Sequence, residues 1–192
     1  VRRAERSGVT VRRSTSEEDM RRFFLLQTLT RKKLGLLPQP WRFFETIHRH
    51  FLQKGAGYVL LAEHEGSVIG GDVLLLFRGT LVDKFSASDP RFLNLRPNNL
   101  LHRSAIELGL ALGCDSLDLG RSDIDAEGLR RFKSNWGAAE RPMPYYHYPS
   151  LPAASAVATA SSLPRRVLAF GVRFAPLWAL RRAGAVLYRY AA

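Results

Sequence analysis

The sequence predicts an α+β fold, a mixed sheet covered by helices, and three observations carry that expectation. Two amphipathic helical patterns come first, three short apolar runs separated by tight turns follow, and then helices alternate with short strands. Consecutive hairpin strands joined to strand-helix-strand crossovers give a sheet of mixed direction with helices on its faces. With 192 residues, 46% hydrophobic and 24% charged, the chain can build one substantial core and is too apolar for disorder.

Residues 1–15 are a polar, cationic lead, with material for at most one short strand around Val9 and Val11. They read as a connector from a preceding domain. Ser16 ahead of Glu17, Glu18 and Asp19 is an N-cap followed by acids that suit a helix dipole. Phe23, Phe24, Leu26 and Leu29 give that helix one buried face as far as Gly35. Pro38 and Pro40 mark a linker, and a second helix over 41–54 should bury Phe43, Phe44, Ile47 and Phe51 before it stops at Gly55 and Gly57. Strands at 58–64 and 67–77 flank the turn Glu65-Gly66, and a third at 80–86 follows Arg78-Gly79. Pro97 opens a helix carrying Leu100, Leu101, Ala105, Ile106 and Leu108 and ending at Gly113. A short strand at 116–119, a short helix at 127–136 and a tyrosine-rich strand at 143–148 complete a body spanning 16–150. An Ala/Ser-rich linker at 151–163 and a basic, apolar helical tail at 164–192 follow.

Lys and Arg number 29 against 17 Asp and Glu, a net charge of +12. Such a surplus favours an anionic partner: nucleic acid, a phosphorylated substrate or an acidic membrane face. One cysteine, Cys114, excludes an internal disulfide framework and suits a reducing compartment. The chain opens Val1-Arg2-Arg3-Ala4 with no apolar run behind it, so it reads as a piece without a secretory signal. No stretch reaches the length a membrane span requires, and a cytoplasmic setting is the default.

The most informative stretch is Leu117-Asp118-Leu119-Gly120-Arg121-Ser122, followed by Phe132-Lys133-Ser134-Asn135-Trp136-Gly137. It resembles a signature of FemAB-related proteins, including those encoded with exopolysaccharide and protein-sorting systems. Ser86-Ala87-Ser88-Asp89, the run from Leu95 to Leu101, and Thr30-Arg31 with Pro40 and Phe43-Phe44 resemble further segments of that family. The resemblance covers roughly residues 3–148. It implies a GNAT-like domain, the second of two, and the transfer of an amino acid from aminoacyl-tRNA to an amine of a cell-envelope precursor such as peptidoglycan. One segment departs from the pattern: Asp125-Ala126-Glu127-Gly128-Leu129 stands where relatives carry a Gly-Thr-Gly-aromatic turn, which leaves donor and acceptor identity open.

The resemblance singles out Lys133, whose ammonium would stabilise the oxyanion formed when an amine attacks an acyl ester; otherwise it is a solvated lysine beside Arg130 and Arg131. Asp89 either orients and deprotonates the acceptor amine or caps the turn begun by Pro90. Phe132 and Trp136, four apart on one helical face, are core residues or a stacking platform for a terminal adenine. Arg121 and Ser122 follow a strand end, where ligand groups gather; Arg121 grips a phosphate or carboxylate, or pairs with Asp118 or Asp123. Asn98 and Asn99 suit helix capping or substrate contact, and Arg31 with Lys32 and Lys33 offers charge for a diphosphate or a solvated face.

Five histidines without zinc-type spacing make a metal site improbable, and neither a P-loop nor a nucleophile elbow is present. No glycine-rich loop suits the pyrophosphate of coenzyme A. The resemblance implies an acyl or aminoacyl transferase using aminoacyl-tRNA, without a cofactor. The alternatives are a coenzyme-A-dependent N-acyltransferase and a non-catalytic module that docks on tRNA or an anionic membrane. The tail, interrupted by Arg173 and Pro176, either packs as helices on the body or a missing domain, or lies in a membrane interface.

Overall fold

The computed structural model describes residues 1–146 and 170–188. Its elements are α1 (Arg2–Arg6), β1 (Thr10–Ser14), α2 (Glu17–Lys33), α3 (Trp41–His50), β2 (Gly57–His64), β3 (Ser67–Phe77), β4 (Thr80–Ser88), α4 (Pro97–Ala111), β5 (Ser116–Asp118), α5 (Glu127–Ser134) and α6 (Leu177–Leu187). The five strands form one sheet in the order β1-β2-β3-β4-β5. β1 to β4 run antiparallel, and β5 joins β4 in parallel after the α4 crossover.

Two cores form, one on each face. α1 and α4 cover the first, where Ala4, Leu100, Leu101, Ala105 and Leu108 meet Leu60, Ala62, Ile69, Leu74 and Leu81. α2 and α3 cover the second, where Phe23, Phe24, Phe44 and Ile47 meet Val59, Leu61, Val73 and Ala87. Gly71 permits the close approach of α2: a Cβ there would lie 2.9 Å from the Leu60 carbonyl and 3.2 Å from the Phe23 ring. Ser16 caps α2, accepting from the Asp19 amide. Arg12 of β1 grips the Asp19 carboxylate with both terminal nitrogens (2.7 and 2.6 Å) and Glu63 of β2 through Nε (2.8 Å), tying the first strand to helix and sheet.

The structure amends several expectations. The lead supplies a helix as well as the edge strand β1, because Ala4 and Val9 find room against α4. Phe43 and Phe51 stay about 40% exposed rather than buried, since α3 ends at His50 and a 3-10 turn, Leu52–Lys54, swings the chain into β2. Phe43 nevertheless meets Phe85 edge to face, 5.8 Å between centroids. Residues 143–146 run without regular structure where a strand was expected. The rest of that strand and the proposed linker at 151–163 lie outside the described residues. In the tail, 170–174 are helical and α6 follows Pro176, with Val172, Leu180 and Gly184 buried.

The feature that positions the site is a bulge in β4. Val73 pairs with Phe85 and Leu74 with Asp83, which leaves Lys84 as the extra residue. Leu81 and Asp83 therefore face α4, Phe85 and Ala87 face α2 and α3, and Ser86 returns to the α4 side opposite Asp72. β5 accompanies β4 only from Thr80 to Val82. Beyond that point the two strands part.

Candidate active site

A cleft of about 460 Å³ opens where β4 leaves β5, the carboxyl end of a parallel pair, where α/β proteins place ligands. Its floor comprises Asp72, Asp83, Lys84 and Ser86, α4 contributes Asn98 and His102, and the segment after β5 closes it with Gly120, Arg121, Phe132 and Lys133.

Lys133 arrives on α5 and is anchored from the turn that follows β5. Asp118 accepts from the Gly120 amide (2.8 Å), which holds Gly120 at φ +67°, and Lys133 Nζ donates to the Gly120 and Arg121 carbonyls (2.8 and 3.3 Å). Two of its three N–H donors are thus engaged. Burial lowers the Lys133 pKa, against the opposing pull of Asp83, Asp118 and Glu140. α5 itself is fastened by stacking: His102 lies 5.5 Å from the Phe132 ring and 4.8 Å from the Trp136 ring. His102 is 5% exposed, and burial, then the nearby Lys133 charge, keeps it neutral by lowering its pKa.

Beneath the lysine sit two carboxyls. Burial, and after it the charge of Asp83, raises Asp72 well above the usual carboxylate range. Burial raises Asp83 to about 6, Lys133 pulling the other way and Asp118 adding to the rise. Asp72 Oδ1 and Asp83 Oδ1 are buried with no hydrogen-bond partner among the described residues. An unpaired buried carboxylate oxygen costs folding free energy, and both of these residues line the one cleft. Among the described residues no group of three or more His, Cys, Asp or Glu is arranged to hold a metal ion.

The residues singled out by sequence divide into two groups. Lys133, Phe132, Arg121 and Asn98 line the cleft, and Trp136 stands behind His102. Arg121 donates to the Tyr145 hydroxyl (2.6 Å) and lies 3.5 Å from Asp123; Asn98 Oδ1 accepts from Ser88 Oγ (2.8 Å). The others are elsewhere. Asp89 accepts from the Arg91 amide and guanidinium at the head of a 3-10 turn, and so serves that turn. Asn99 donates its amide to the Arg96 carbonyl, Ser122 is half-buried beyond the cleft lining, and Arg31 donates to the Leu37 carbonyl (3.0 and 2.9 Å) and the Tyr188 hydroxyl (3.1 Å). Asp72, Asp83, Ser86 and His102 escaped the sequence reading. Leu81, Asp83, Phe85 and Ala87 alternate like one strand face, and only the bulge separates them. An Asp inside the apolar run 67–77 was the one visible signal.

A family profile described as an acetyltransferase (GNAT) domain matches residues 1–134. Among solved structures, FemX aligns with a TM-score of 0.63 at 18% identity, over 71% of this chain and 52% of FemX, so this chain spans about half of that protein. The aminoglycoside acetyltransferase AAC(6')-Iy, solved with a bisubstrate analogue of coenzyme A, aligns with a TM-score of 0.60 at 14% identity, covering 74% of this chain and 99% of that one. An aminoglycoside acetyltransferase from an uncultured soil metagenomic sample, solved with trehalose, gives 0.57 at 16%, covering 74% and 97%. At these identities the likeness establishes the fold. No curated protein matches in sequence.

Proposed function

The chain belongs to the GNAT acetyltransferase-domain family, and from that premise we propose that it transfers an acyl group to an amine in the cleft between β4 and α5. The observation that carries this reading is the stack of Lys133 over Asp83 and Asp72, two cleft-facing carboxyls with raised pKa values beneath a fixed ammonium. The acceptor nitrogen attacks the acyl carbon, and its proton passes to the Asp83 carboxylate. The oxygen that turns anionic meets the remaining N–H of Lys133. As the carbonyl reforms, the bond to the donor breaks and the leaving atom takes the proton back. Burial, and after it the charge of Asp83, biases Asp72 toward its uncharged form, which limits the negative charge on the floor. Phe132 and Arg121 flank the entrance.

For the donor we propose an aminoacyl ester on tRNA, and for the acceptor an amine of a cell-envelope precursor, as the FemAB-like motifs imply. A preceding GNAT-like domain would supply the rest of the binding surface. The net charge of +12 and the cations Lys84 and Arg121 at the cleft support a polyanionic donor. A pyrophosphate calls for a run of free backbone amides. At the head of α4 the Arg91, Phe92, Arg96 and Asn99 amides are spent on nearby acceptors and Pro97 has none, a poor fit to coenzyme A.

Filter binding with charged tRNA and calorimetry with acetyl-coenzyme A test the donor. Affinity for tRNA should fall roughly a hundredfold or more between about 50 and 200 mM salt, with no saturable binding of acetyl-coenzyme A. Micromolar, salt-insensitive binding of acetyl-coenzyme A and none of tRNA refutes the donor and favours an N-acetyltransferase.

A further inference from the structure

We propose that the C-terminal segment is an interfacial anchor that lays the protein against an anionic lipid bilayer. Its inner side is committed to the body. Leu180 and Gly184 of α6 are buried, Gly184 against the backbone of Pro38, and the Tyr188 hydroxyl accepts from Arg31. That packing decides which side faces outward. Phe170, Phe174 and Trp178 follow one another at four-residue spacing and are 66, 72 and 64% exposed, with the first two rings 4.7 Å apart. Val186, at the far end of α6, is exposed as well.

Cations border this surface. Arg173, Arg181 and Arg182 are exposed on the segment itself, and Lys32 and Lys33 of α2 share a groove with Arg173. From residue 141 onward the sequence holds seven arginines and neither Asp nor Glu, so over half of the net charge of +12 is carried there. Among the described residues no helix is long and apolar enough to cross a membrane. A short helix showing aromatic and aliphatic side chains between arginines, with no acid to repel a phosphate layer, has the chemistry of a segment that lies in the headgroup region. An RNA face would hold its rings open to stack on bases. Here Phe170 and Phe174 lie against each other, 4.7 Å between ring centroids, which favours acyl chains.

Sedimentation of the 192-residue chain with phosphatidylcholine vesicles, with or without about 30% phosphatidylglycerol, tests this. Binding should require the anionic lipid and weaken with salt. Each arginine near such a surface contributes about fivefold to partitioning, so Arg181→Gln with Arg182→Gln should lower binding roughly 25-fold. Phe174→Ser with Trp178→Ser should abolish it, with the thermal melt unchanged. The arginines are exposed and make no hydrogen bond or ion pair among the described residues, so that variant decides the matter should the aromatic one misfold. Absent or lipid-independent sedimentation of the parent chain, or equal sedimentation of the arginine variant, overturns the proposal. So does a dimer, or a salt-sensitive complex with tRNA, that these substitutions dissolve while vesicles go unbound.

Discussion

Replacing Asp83 with Asn should do two opposite things, and their combination is specific to the role assigned here. Loss of a positioned proton acceptor lowers kcat/KM by about 10²–10⁴. In the parent protein kcat/KM should rise about tenfold between pH 5 and pH 7 as a carboxyl near 6 ionises; the variant lacks that limb. Stability moves the other way. A carboxyl raised to about 6 in the fold binds its proton more tightly there than in the unfolded chain, so it stabilises while protonated and that contribution fades as pH rises through 6. At 1.36 kcal/mol per pH unit the loss approaches about 3 kcal/mol above neutrality. Asn escapes it. The stability of Asp83→Asn relative to the parent should therefore grow between about pH 4 and pH 7 by 1–3 kcal/mol, a Tm gain of several degrees, and then level off. Single-turnover rates and thermal melts over that range measure both. A variant with the parent's turnover and pH limb, or a stability difference that stays flat, refutes the reasoning.

Lys133→Met should lower turnover by about two to three orders of magnitude, as removal of one oxyanion donor does, with the melt retained; unchanged turnover in a folded variant removes it from the chemistry. Arg12→Ala takes the two-pronged partner from the Asp19 carboxylate, a side chain only 9% exposed, and leaves it Arg22 at 3.4 Å and the Ser16 hydroxyl at 3.0 Å; it should cost about 1–2 kcal/mol, allowing for the partial exposure of Arg12. Because Arg12 holds the Asp19 pKa far below the usual range, that cost is present at neutral pH and shrinks as pH falls below about 4, which melts at two pH values will reveal. Gly184→Ala puts a methyl group against the Pro38 backbone and should release the tail, read as faster tryptic cleavage at Arg181 and Arg182 with the body still folded.

Most of the fold was legible because local signals agreed with the tertiary arrangement. Ser16 and its acids marked the start of α2, Pro97 opened α4, and Glu65-Gly66 and Arg78-Gly79 made the two hairpins. Helix α1 was not legible: five residues carry little periodicity, and docking on α4, through buried Ala4 and the Glu5–Arg103 ion pair, holds them in place. The site divides along the same line. Lys133, Phe132 and Arg121 were found through a motif contiguous in sequence. Asp72, Asp83 and His102 lie on three different elements and are brought together by the bulge at Lys84 and the crossover, neither of which leaves a local signature. Asp89 drew attention by its motif, yet its neighbour Arg91 takes its carboxylate.

The central claim is that an amide forms in the cleft under Lys133 and over Asp83. Mass spectrometry of an amine-bearing envelope precursor, incubated with the protein and charged tRNA, measures it most directly. One aminoacyl increment is expected on the precursor amine with the parent protein, and a loss of at least about a hundredfold in its rate with either Lys133→Met or Asp83→Asn. Product formed at the parent rate by both folded variants, or no increment from either charged tRNA or acetyl-coenzyme A, would contradict it.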